Sequence, residues 1–501
     1  MDCQRPDILR KLDIGPFPFG RSYVEVVVHR KYLLALSLAG LAACAVNPVT
    51  GRNELSLVSE SQEIQMGQDG KAQVQRSIGI YADPTLNAYL ASLGTRIAAT
   101  TERPNLPWSF QIADQPVVNA FALPGGPVFI ARGLLGYFNS EAELISVLGH
   151  EMGHITARHS AQQMTRSQLA GLGLGIASAV NSRVASLAGV AEQGLGLLFL
   201  KYSRTDESQA DALGFRYGLK NGWDMREGTK MFNTLSRVSG DPSSRLPEWQ
   251  SSHPEPEGRA AHNDERVLAA EATGVNFDAL TVDRNGYLRR IDGLVFGADP
   301  REGYFEGTVF YHPVLRLKFA FPAGWKTQNS AESVAGMSSA KDVIVVFSGA
   351  GQESPQATGQ KFAAQTGLTP GQGQGLTING LTAYTLPFQA QTDQGTVAGR
   401  ATWISLDGTS YQVLGYGAVA NASANDQIIL GVARTFARLT DQSKIDVLPK
   451  RVHIITLRTA QTIVEVGRAN GNTLPDAELA NVNGVRRDQV LPAGTLVKIV
   501  R

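Results

Sequence analysis

The chain contains almost no cysteine, with only Cys3 and Cys44 in 501 residues. Two cysteines cannot supply a disulfide framework, so the stability of the fold has to come from hydrophobic cores. The length permits about three such cores, at roughly 100 to 200 residues per domain.

The chain also lacks a charge excess of either sign and an uninterrupted apolar run. A net charge of +1 argues against a nucleic-acid partner, which usually requires a clear basic excess. The segment from Leu169 to Leu200 is apolar and rich in glycine, but Asn181, Arg183 and Glu192 interrupt it, so it is not predicted to span a membrane. A mobile helical cover, a membrane-surface contact and plain packing of small residues all remain open for it.

One short motif, His150-Glu151-Met152-Gly153-His154, has the spacing of a metal site. Two histidines four residues apart on a helix point the same way and can bind one metal ion. Ser140 followed by Glu143 is typical of a capping box, so a helix is predicted to begin there and to run through His159. Glu151 then lies beside the open position of the metal, which makes it the predicted general base. The alternative is that both histidines have ordinary structural roles.

A third protein ligand is expected further along the chain, because a catalytic zinc site of this type has three protein ligands and one water. Glu207 and Asp211 lie one turn apart on one face of a predicted helix that follows Ser203. In that arrangement Glu207 can bind the metal, while Asp211 accepts the outer N–H of a ligand histidine and fixes its tautomer. These residues alone leave open the alternative of a solvated acidic face.

These motifs resemble those of a family of zinc endopeptidases that includes the CAAX prenyl proteases, the HtpX-like peptidases and bacterial lipoprotein peptidases of the BepA and LoiP type. In that family the third ligand is a glutamate in a Ser-Arg-x-x-Glu-x-x-Ala-Asp pattern, which residues 203–211 match. The resemblance implies one zinc ion per chain, bound by His150, His154 and Glu207. It also places Arg204 and Arg259 around these ligands.

A third segment, Ser252-His253-Pro254 with Arg259 six residues after the histidine, is similar to a His-Pro…Arg segment of the family. The resemblance implies that His253 approaches the zinc, where it caps the metal in a resting state or steadies the transition state. Without the family, the alternative is a surface histidine in a proline-rich turn.

Two short apolar runs between Asn119 and Ile130 are separated by the turn Pro124-Gly125-Gly126, which predicts a hairpin. The resemblance implies that this stretch forms the sheet edge above the metal, along which a peptide substrate lies extended. An ordinary core hairpin is the alternative. The substrate-binding residues implied in this way are Asn119, Ala120, Phe121 and Ala122.

A secretory pattern is predicted near the N-terminus. Arg30-Lys31 precedes an apolar run from Tyr32 to Gly40 and then Leu41-Ala42-Ala43-Cys44, an order typical of a signal peptide rather than a membrane span. Its end resembles the lipobox of bacterial lipoproteins, which implies a lipid anchor at Cys44 in the bacterial cell envelope. Because Ala45 follows the cysteine, the periplasmic side of the outer membrane is expected. A cytosolic start with an apolar helix is the alternative.

The residues before Arg30 include Asp2 and Glu25, which is unlike the short basic start of a signal peptide. We therefore expect the true start to lie later, at a valine such as Val28. Cleavage before Cys44 would leave a single cysteine, committed to lipid, so no disulfide is expected within the mature chain.

An α+β module is predicted over residues 307–442. The strand-like runs Thr402–Leu406 and Ser410–Leu414 flank Asp407-Gly408, which is a strong hairpin signal. The module contains no catalytic cluster and faintly resembles PsbP-type domains. We expect it to bind or position other groups.

The last fifty or so residues resemble a LysM module, a small βααβ unit that binds N-acetylglucosamine in cell-wall glycans. The resemblance rests on a strand from Val452 to Leu457, a helix opened by Thr462-Ile463, and a final strand from Leu496 to Val500. It implies peptidoglycan as a partner. Ala460-Gln461 replaces the usual Gly-Asp and aromatic residues are absent, and both departures argue against affinity for glycan.

The predicted fold class is therefore α+β and multidomain. A mainly helical, zincin-type (gluzincin) protease domain with a small edge-exposed sheet is followed by an α+β module and a βααβ LysM-like module. The predicted boundaries are a signal peptide over 1–43, a lipid-anchored tether over 44–59, a zinc metalloprotease domain over 60–270, a linker over 271–306, the α+β module over 307–442 and the LysM-like module over 449–501.

Two classes of function stay open at this point. The first is a membrane-anchored zinc endopeptidase that cleaves misfolded or misassembled envelope proteins, with Glu151 as general base for zinc-activated water. The second is a periplasmic chaperone or adaptor that binds outer-membrane protein clients or peptidoglycan while the zinc site is silent or gated.

Overall fold

The computed structural model describes residues 44–174, 202–239, 258–392 and 395–501. These form two compact units: described residues up to 74, 80–292 and 454–499 make the first, and 75–79, 293–453 and 500–501 the second. The predicted signal peptide over 1–43, most of the Leu169–Leu200 segment and His253 lie outside the described residues. Within the described ranges, no helix has both the length and the apolar character needed to cross a membrane.

The first unit up to residue 292 is mainly helical, with one small three-stranded sheet. Its strands are β1 (Cys44–Val46), β2 (Asn53–Leu55), β3 (Ser109–Ala113), β4 (Ala120–Ala122) and β5 (Pro127–Ala131). Its helices are α1 (Glu60–Ser77), α2 (Pro84–Ala98), α3 (Arg132–Leu135), α4 (Glu141–Thr156), α5 (His159–Leu174), α6 (Arg204–Lys220), α7 (Arg226–Ser239), α8 (Arg259–Ala272) and α9 (Arg284–Arg290).

The three-stranded sheet has the order β3-β5-β4, with β3 parallel and β4 antiparallel to the central strand. Pro124, Gly125 and Gly126 join β4 to β5, as the sequence predicts. Gly125 has a φ of +75°, and a Cβ added there would lie 2.5 Å from the Cα of Ile64. The turn therefore requires glycine both for its backbone conformation and for the close approach of α1.

Residues 44–59, the predicted tether, pack against the end of α4. Strand β1 pairs antiparallel with β2, and the Asn47 side chain donates to the Ala157 carbonyl at 3.2 Å. The backbone N–H of Leu57 donates to Thr165 Oγ1 on α5 at 3.0 Å. This stretch is therefore attached to the helical unit.

Helix α4 begins as predicted and ends earlier than predicted. The Ser140 hydroxyl accepts from the N–H of Glu143 at 3.2 Å, and the Glu143 carboxylate accepts from the N–H of Asn139 at 2.6 Å. The prediction that this helix runs through His159 is wrong. Arg158 adopts a left-handed φ of +60°, held by its bonds to Glu63 and the Val58 carbonyl, so the chain turns and α5 starts at His159.

Helices α4 and α6 pack at backbone distance through glycines. A Cβ added to Gly214 would lie 2.7 Å from the backbone nitrogen of His150, and one added to Gly149 would lie 3.0 Å from the Cα of Gly214. One turn further, a Cβ on Gly153 would lie 3.0 Å from the Ala210 carbonyl oxygen. Only glycine leaves room for this contact.

The second unit is dominated by antiparallel sheet. Its eight-stranded sheet has the order β12-β14-β15-β16-β11-β10-β9 with β13 paired to β14, and its four-stranded sheet has the order β17-β8-β7-β6. The bounds are β6 (Tyr304–Glu306), β7 (Val309–His312), β8 (Leu317–Ala320), β9 (Lys326–Asn329), β10 (Ser333–Met337), β11 (Val343–Gly349), α10 (Pro355–Ala363), β12 (Leu368–Pro370), β13 (Gln374–Ile378), β14 (Leu381–Thr392), β15 (Gly395–Leu406), β16 (Thr409–Ala418), α11 (Ala422–Arg434), β17 (Ala437–Arg438) and α12 (Gln442–Ile445).

The predicted hairpin of the second unit is confirmed. Leu406 pairs with Thr409 across the turn, and both Asp407 and Gly408 have positive φ values, 52° and 81°. A two-residue turn of this kind matches the twist of the flanking strands. The buried core between sheet and helix includes Phe319, Phe347, Tyr411, Ile429 and Phe436.

The C-terminal segment, residues 454–499, belongs to the first unit together with residues 80–292. Its region contains β18 (Val452–Thr456), β19 (Gln461–Thr462), α13 (Ile463–Ala469), α14 (Asp476–Val482), β20 (Val490–Leu491) and β21 (Leu496–Val500). The longer elements β18, α13, α14 and β21 run in the order strand, helix, helix, strand, and the likeness of this segment to a LysM module stays a prediction. Helix α9, within the predicted linker, also belongs to the first unit, where Tyr287 and Leu288 are fully buried.

The α4–α6 contact leads to a stability prediction. We expect Gly214→Ala to lower the free energy of unfolding of the first unit by about 1–3 kcal/mol, because the added methyl group has to displace backbone. Gly431→Ala in α11, where a Cβ would meet nothing within 4 Å, is the matched control and should stabilise the second unit by about 0.5–1 kcal/mol. Hydrogen exchange resolves the two units, and equal stabilisation by both substitutions would contradict the packing described.

Candidate metal centre

Three buried side chains from two helices converge at the α4–α6 contact. His150 and His154 lie four residues apart on α4, and Glu207 lies in the first turn of α6. The two Nε2 atoms are 3.1 Å apart, and the Glu207 carboxylate oxygens lie 3.5 Å from Nε2 of His150 and 3.4 Å from Nε2 of His154. The structure therefore brings Glu207 close enough to both histidines for the three side chains to hold one metal ion.

The spacing of these three donors fits a tetrahedral metal ion. With bonds of about 2.0–2.1 Å, two ligand atoms of a tetrahedral zinc site are about 3.3 Å apart, and the three observed separations lie close to that value. Two imidazole nitrogens and one carboxylate also match the donor set of a catalytic zinc site, which leaves a fourth position for water. Among the described residues, this is the group of histidine, cysteine and acidic side chains that can hold a metal ion.

Asp211 and Arg259 orient the first ligand. The Asp211 carboxylate lies 2.8 Å from Nδ1 of His150 and accepts from Nε of Arg259 at 2.9 Å. Burial by itself raises the pKa of Asp211, but Arg259 and His150 outweigh that effect and hold the pKa well below its usual range. A charged Asp211 keeps the hydrogen of His150 on Nδ1, so Nε2 is free to bind metal.

The second ligand is oriented by a residue that the sequence reasoning missed. His159 Nδ1 lies 2.9 Å from Nδ1 of His154, and its Nε2 lies 3.0 Å from the Oε1 atom of Gln209 on α6. Burial lowers the pKa of both His154 and His159, which keeps both rings neutral. Its position just after the motif could have indicated His159 as a neighbour of the site. The predicted continuous helix would have pointed its side chain away from His154.

Tyr202 is the other neighbour that was missed. Its ring stacks on the imidazole of His154, with centroids 4.0 Å apart and planes 24° apart. Its hydroxyl lies 2.9 Å from Oγ of Ser160. Burial raises the pKa of this phenol, so Tyr202 is neutral and limits the rotation of the ring beneath it.

The predicted base and substrate strand lie next to the donors. Glu151 sits between the two histidines on α4 and is 1% exposed. Strand β4 packs against α4 and, in the described part of the chain, is paired only on its β5 side. Its side chains are buried, and Phe121 stacks on Phe129 with centroids 5.0 Å apart. A ligand can therefore contact β4 through the backbone groups of its edge rather than through its side chains.

The remaining predicted site residues are Arg204, Asn119 and Cys44, which the structure describes, and His253, which lies outside the described residues. Arg204 is the first residue of α6 and is exposed. Asn119 lies just before β4 and is half-buried. Cys44 opens strand β1, and the role predicted for His253 stays a prediction.

Comparison with known proteins finds a family match within the helical part of the first unit. Residues 84–267 match the model of peptidase family M48. The beta-barrel assembly-enhancing protease of Yersinia pestis is 30% identical over 268 residues, which cover 50% of this chain and 52% of that protein. The mitochondrial metalloendopeptidase OMA1 of Arabidopsis thaliana is 33% identical over 157 residues, 31% of each chain. The chain thus spans about half the length of the first relative and less of the second.

Among solved structures, the cyanobacterial PsbP protein of Synechocystis is 14% identical, with a TM-score of 0.23, and the match covers 27% of this chain and 94% of that one. A TM-score this low does not establish a shared fold, and the resemblance of residues 307–442 to PsbP-type domains stays a prediction. The family match and the His-His-Glu cluster confirm the predicted zinc metalloendopeptidase class for the domain that holds the motif. The chain carries a peptidase domain of family M48.

Proposed function

We propose that the chain is a zinc-dependent endopeptidase that cleaves misfolded or misassembled proteins of the bacterial cell envelope. The observation that carries the proposal is the spacing of the three donor atoms, 3.1 to 3.5 Å, on two helices locked together by glycine. Because these donors are buried and held by further hydrogen bonds, they are arranged for a metal before one binds.

In the proposed reaction, a bound zinc ion would supply a Lewis acid that lowers the pKa of water to about 7 and polarises the peptide carbonyl. His150, His154 and Glu207 would hold it. The Glu151 carboxylate accepts a proton from the attacking water and passes it to the leaving amine nitrogen. Asp211 and Arg259 keep the His150 ring in the tautomer that the site requires.

The substrate is proposed to lie along the edge of β4, as an added antiparallel strand. Backbone hydrogen bonds then give affinity without reading much of the peptide sequence. This suits an enzyme whose substrates share an unfolded state rather than a sequence, since only an extended segment can pair with a sheet edge.

The envelope location rests on two separate supports. The Yersinia relative is named for enhancing assembly of β-barrels, and the sequence before Cys44 resembles a lipobox. A lipid on Cys44 would hold the enzyme close to the membrane, because the β1-β2 hairpin is itself bonded to the end of α4. Labelling with a radioactive fatty acid tests the lipid anchor. The native chain should carry label, and a Cys44→Ala variant that still carries label would contradict an anchor at Cys44.

The histidine relay behind His154 follows from the proposed site. If Nε2 of His154 binds metal, its hydrogen must lie on Nδ1 and is donated to Nδ1 of His159, 2.9 Å away. His159 then carries its own hydrogen on Nε2 and donates it to Gln209 at 3.0 Å. In both bonds the hydrogen is donated away from the metal. His159 therefore fixes the ring of His154, as Asp211 fixes the ring of His150.

The first test of function is the substitution of the base. We expect Glu151→Gln to retain one zinc ion per chain and to lower the rate of casein cleavage by about 10²–10⁴-fold, because the amide cannot accept the proton. Glu271→Gln, at an exposed position on α8, is the matched control and should cleave at the normal rate. Chelation should abolish cleavage and added zinc should restore it. Unchanged cleavage by Glu151→Gln would refute the assignment.

The second test concerns His159. We expect His159→Leu to weaken zinc binding by about 10–100-fold, as the loss of a partner to a metal-bound histidine typically does. His159→Asn should bind nearly as well as the native chain, because its Oδ1 takes the place of Nδ1 as acceptor, whereas His159→Gln should resemble the leucine variant. Competition with a chromophoric chelator measures each affinity. Equal affinities for the asparagine and leucine variants would rule out the relay.

A further inference from the structure

A lysine of the C-terminal segment is completely buried against the turn that leads into the metal-binding helix. Lys498 on β21 is 0% exposed, which is rare for this residue type. Its Nζ donates to the carbonyl oxygens of Gly136 and Phe138 at 2.9 and 2.7 Å. Both carbonyls lie in the turn between α3 and Ser140, the residue that caps α4.

A second basic side chain connects the same turn to the same strand. Arg284 on α9 donates from Nη1 to the Asn139 carbonyl at 3.2 Å and from Nη2 to the Leu496 carbonyl at 3.1 Å. Three carbonyls in four successive residues before α4 therefore accept from lysine or arginine side chains. Arg284 thus bonds both to the turn and to β21.

The C-terminal segment holds Lys498 in a fixed register. The Asn483 side chain accepts from the backbone N–H of Lys498 at 2.8 Å and donates to its carbonyl at 2.9 Å. The next residue, Gly484, has a φ of +65°, and a Cβ added there would lie 3.0 Å from Nδ2 of Asn139. The segment is thus shaped to approach the turn closely.

An acidic and a basic side chain are buried on the two sides of the contact. Burial raises the pKa of Glu143 to about 7 and lowers the pKa of Lys498 well below its usual range, and each group opposes the shift of the other. Glu143 lies in the first turn of α4, and seven residues, or about 10 Å along the helix, separate it from His150. Its carboxylate accepts from the N–H of Asn139, so the turn, the helix start and Lys498 form one network.

We propose that the C-terminal segment is an intramolecular brace for the metal-binding helix, and that Lys498 is its positioning residue. The segment fixes the turn before Ser140, and with it the place at which α4 begins and the position of His150 and His154 relative to α6. The role does not require glycan binding by the LysM-like module, since the bonds that carry it are made within the chain.

The test uses the full chain with Lys498→Met, which keeps the aliphatic length and removes the donors. The native-state exchange of amides 139–145 should rise about tenfold or more, because two buried carbonyls lose their partner, and zinc affinity should fall about tenfold. Arg487→Met, which removes an exposed cation of the same segment, is the matched control and should change neither. The double variant Lys498→Met/Glu143→Gln should show slower amide exchange and higher zinc affinity than Lys498→Met alone.

The two measurements distinguish the brace from simple packing. Only the zinc measurement rests on the proposed function. Faster exchange with unchanged zinc affinity would overturn the positioning role, as would values equal to those of Arg487→Met. A native chain that binds no zinc would refute the proposed function, while amide exchange still decides whether the brace exists. If Lys498→Met does not fold, Arg284→Met should show the same two changes at smaller size, and no change in it would overturn the proposal.

Discussion

The close contact between α4 and α6 is the constraint on which the site depends. Gly149, Gly153 and Gly214 allow the two backbones to approach until a Cβ at 214 would lie 2.7 Å from the nitrogen of His150. At a more usual interhelical distance of about 8–10 Å, the short side chain of Glu207 would have to stretch to reach two histidines at once. The glycines thus determine the chemistry without taking part in it, since they bring donors from distant segments to a common spacing near 3.3 Å.

Such a contact has to be held from outside, because glycine contributes no side-chain packing and lowers helix stability. All sixteen residues of α4 are buried. At the C-terminal end of α4, Arg103 donates to the carbonyl of Ile155 at 2.8 Å and pairs with Glu63. At the N-terminal end, the hydroxyl of Ser140 donates to Glu227 at 3.2 Å, and Lys498 holds the turn before it. Positive charge at the last carbonyls also suits the helix dipole.

The parts of this arrangement that the sequence predicted are those set by local periodicity. The spacing of His150 and His154 places them on one face of a helix, and Glu207 and Asp211 follow the same rule on the next. The Asp407-Gly408 hairpin is equally local. His159, Tyr202 and Lys498 were missed. The position of His159 depends on the left-handed turn at Arg158. Tyr202 stacks on His154, which lies on a separate helix, and Lys498 bonds to residues more than 300 positions away. The buried residues of α9 were likewise hidden in a stretch that composition alone assigns to a linker.

The central claim is that a zinc ion is held by two imidazoles from α4 and one carboxylate from α6. X-ray absorption spectroscopy of the zinc-loaded chain tests it most directly. The account predicts four nitrogen or oxygen neighbours at about 2.0–2.1 Å, with the multiple scattering of two imidazole rings. A sulfur neighbour at about 2.3 Å, or the scattering of fewer than two imidazoles, would contradict it.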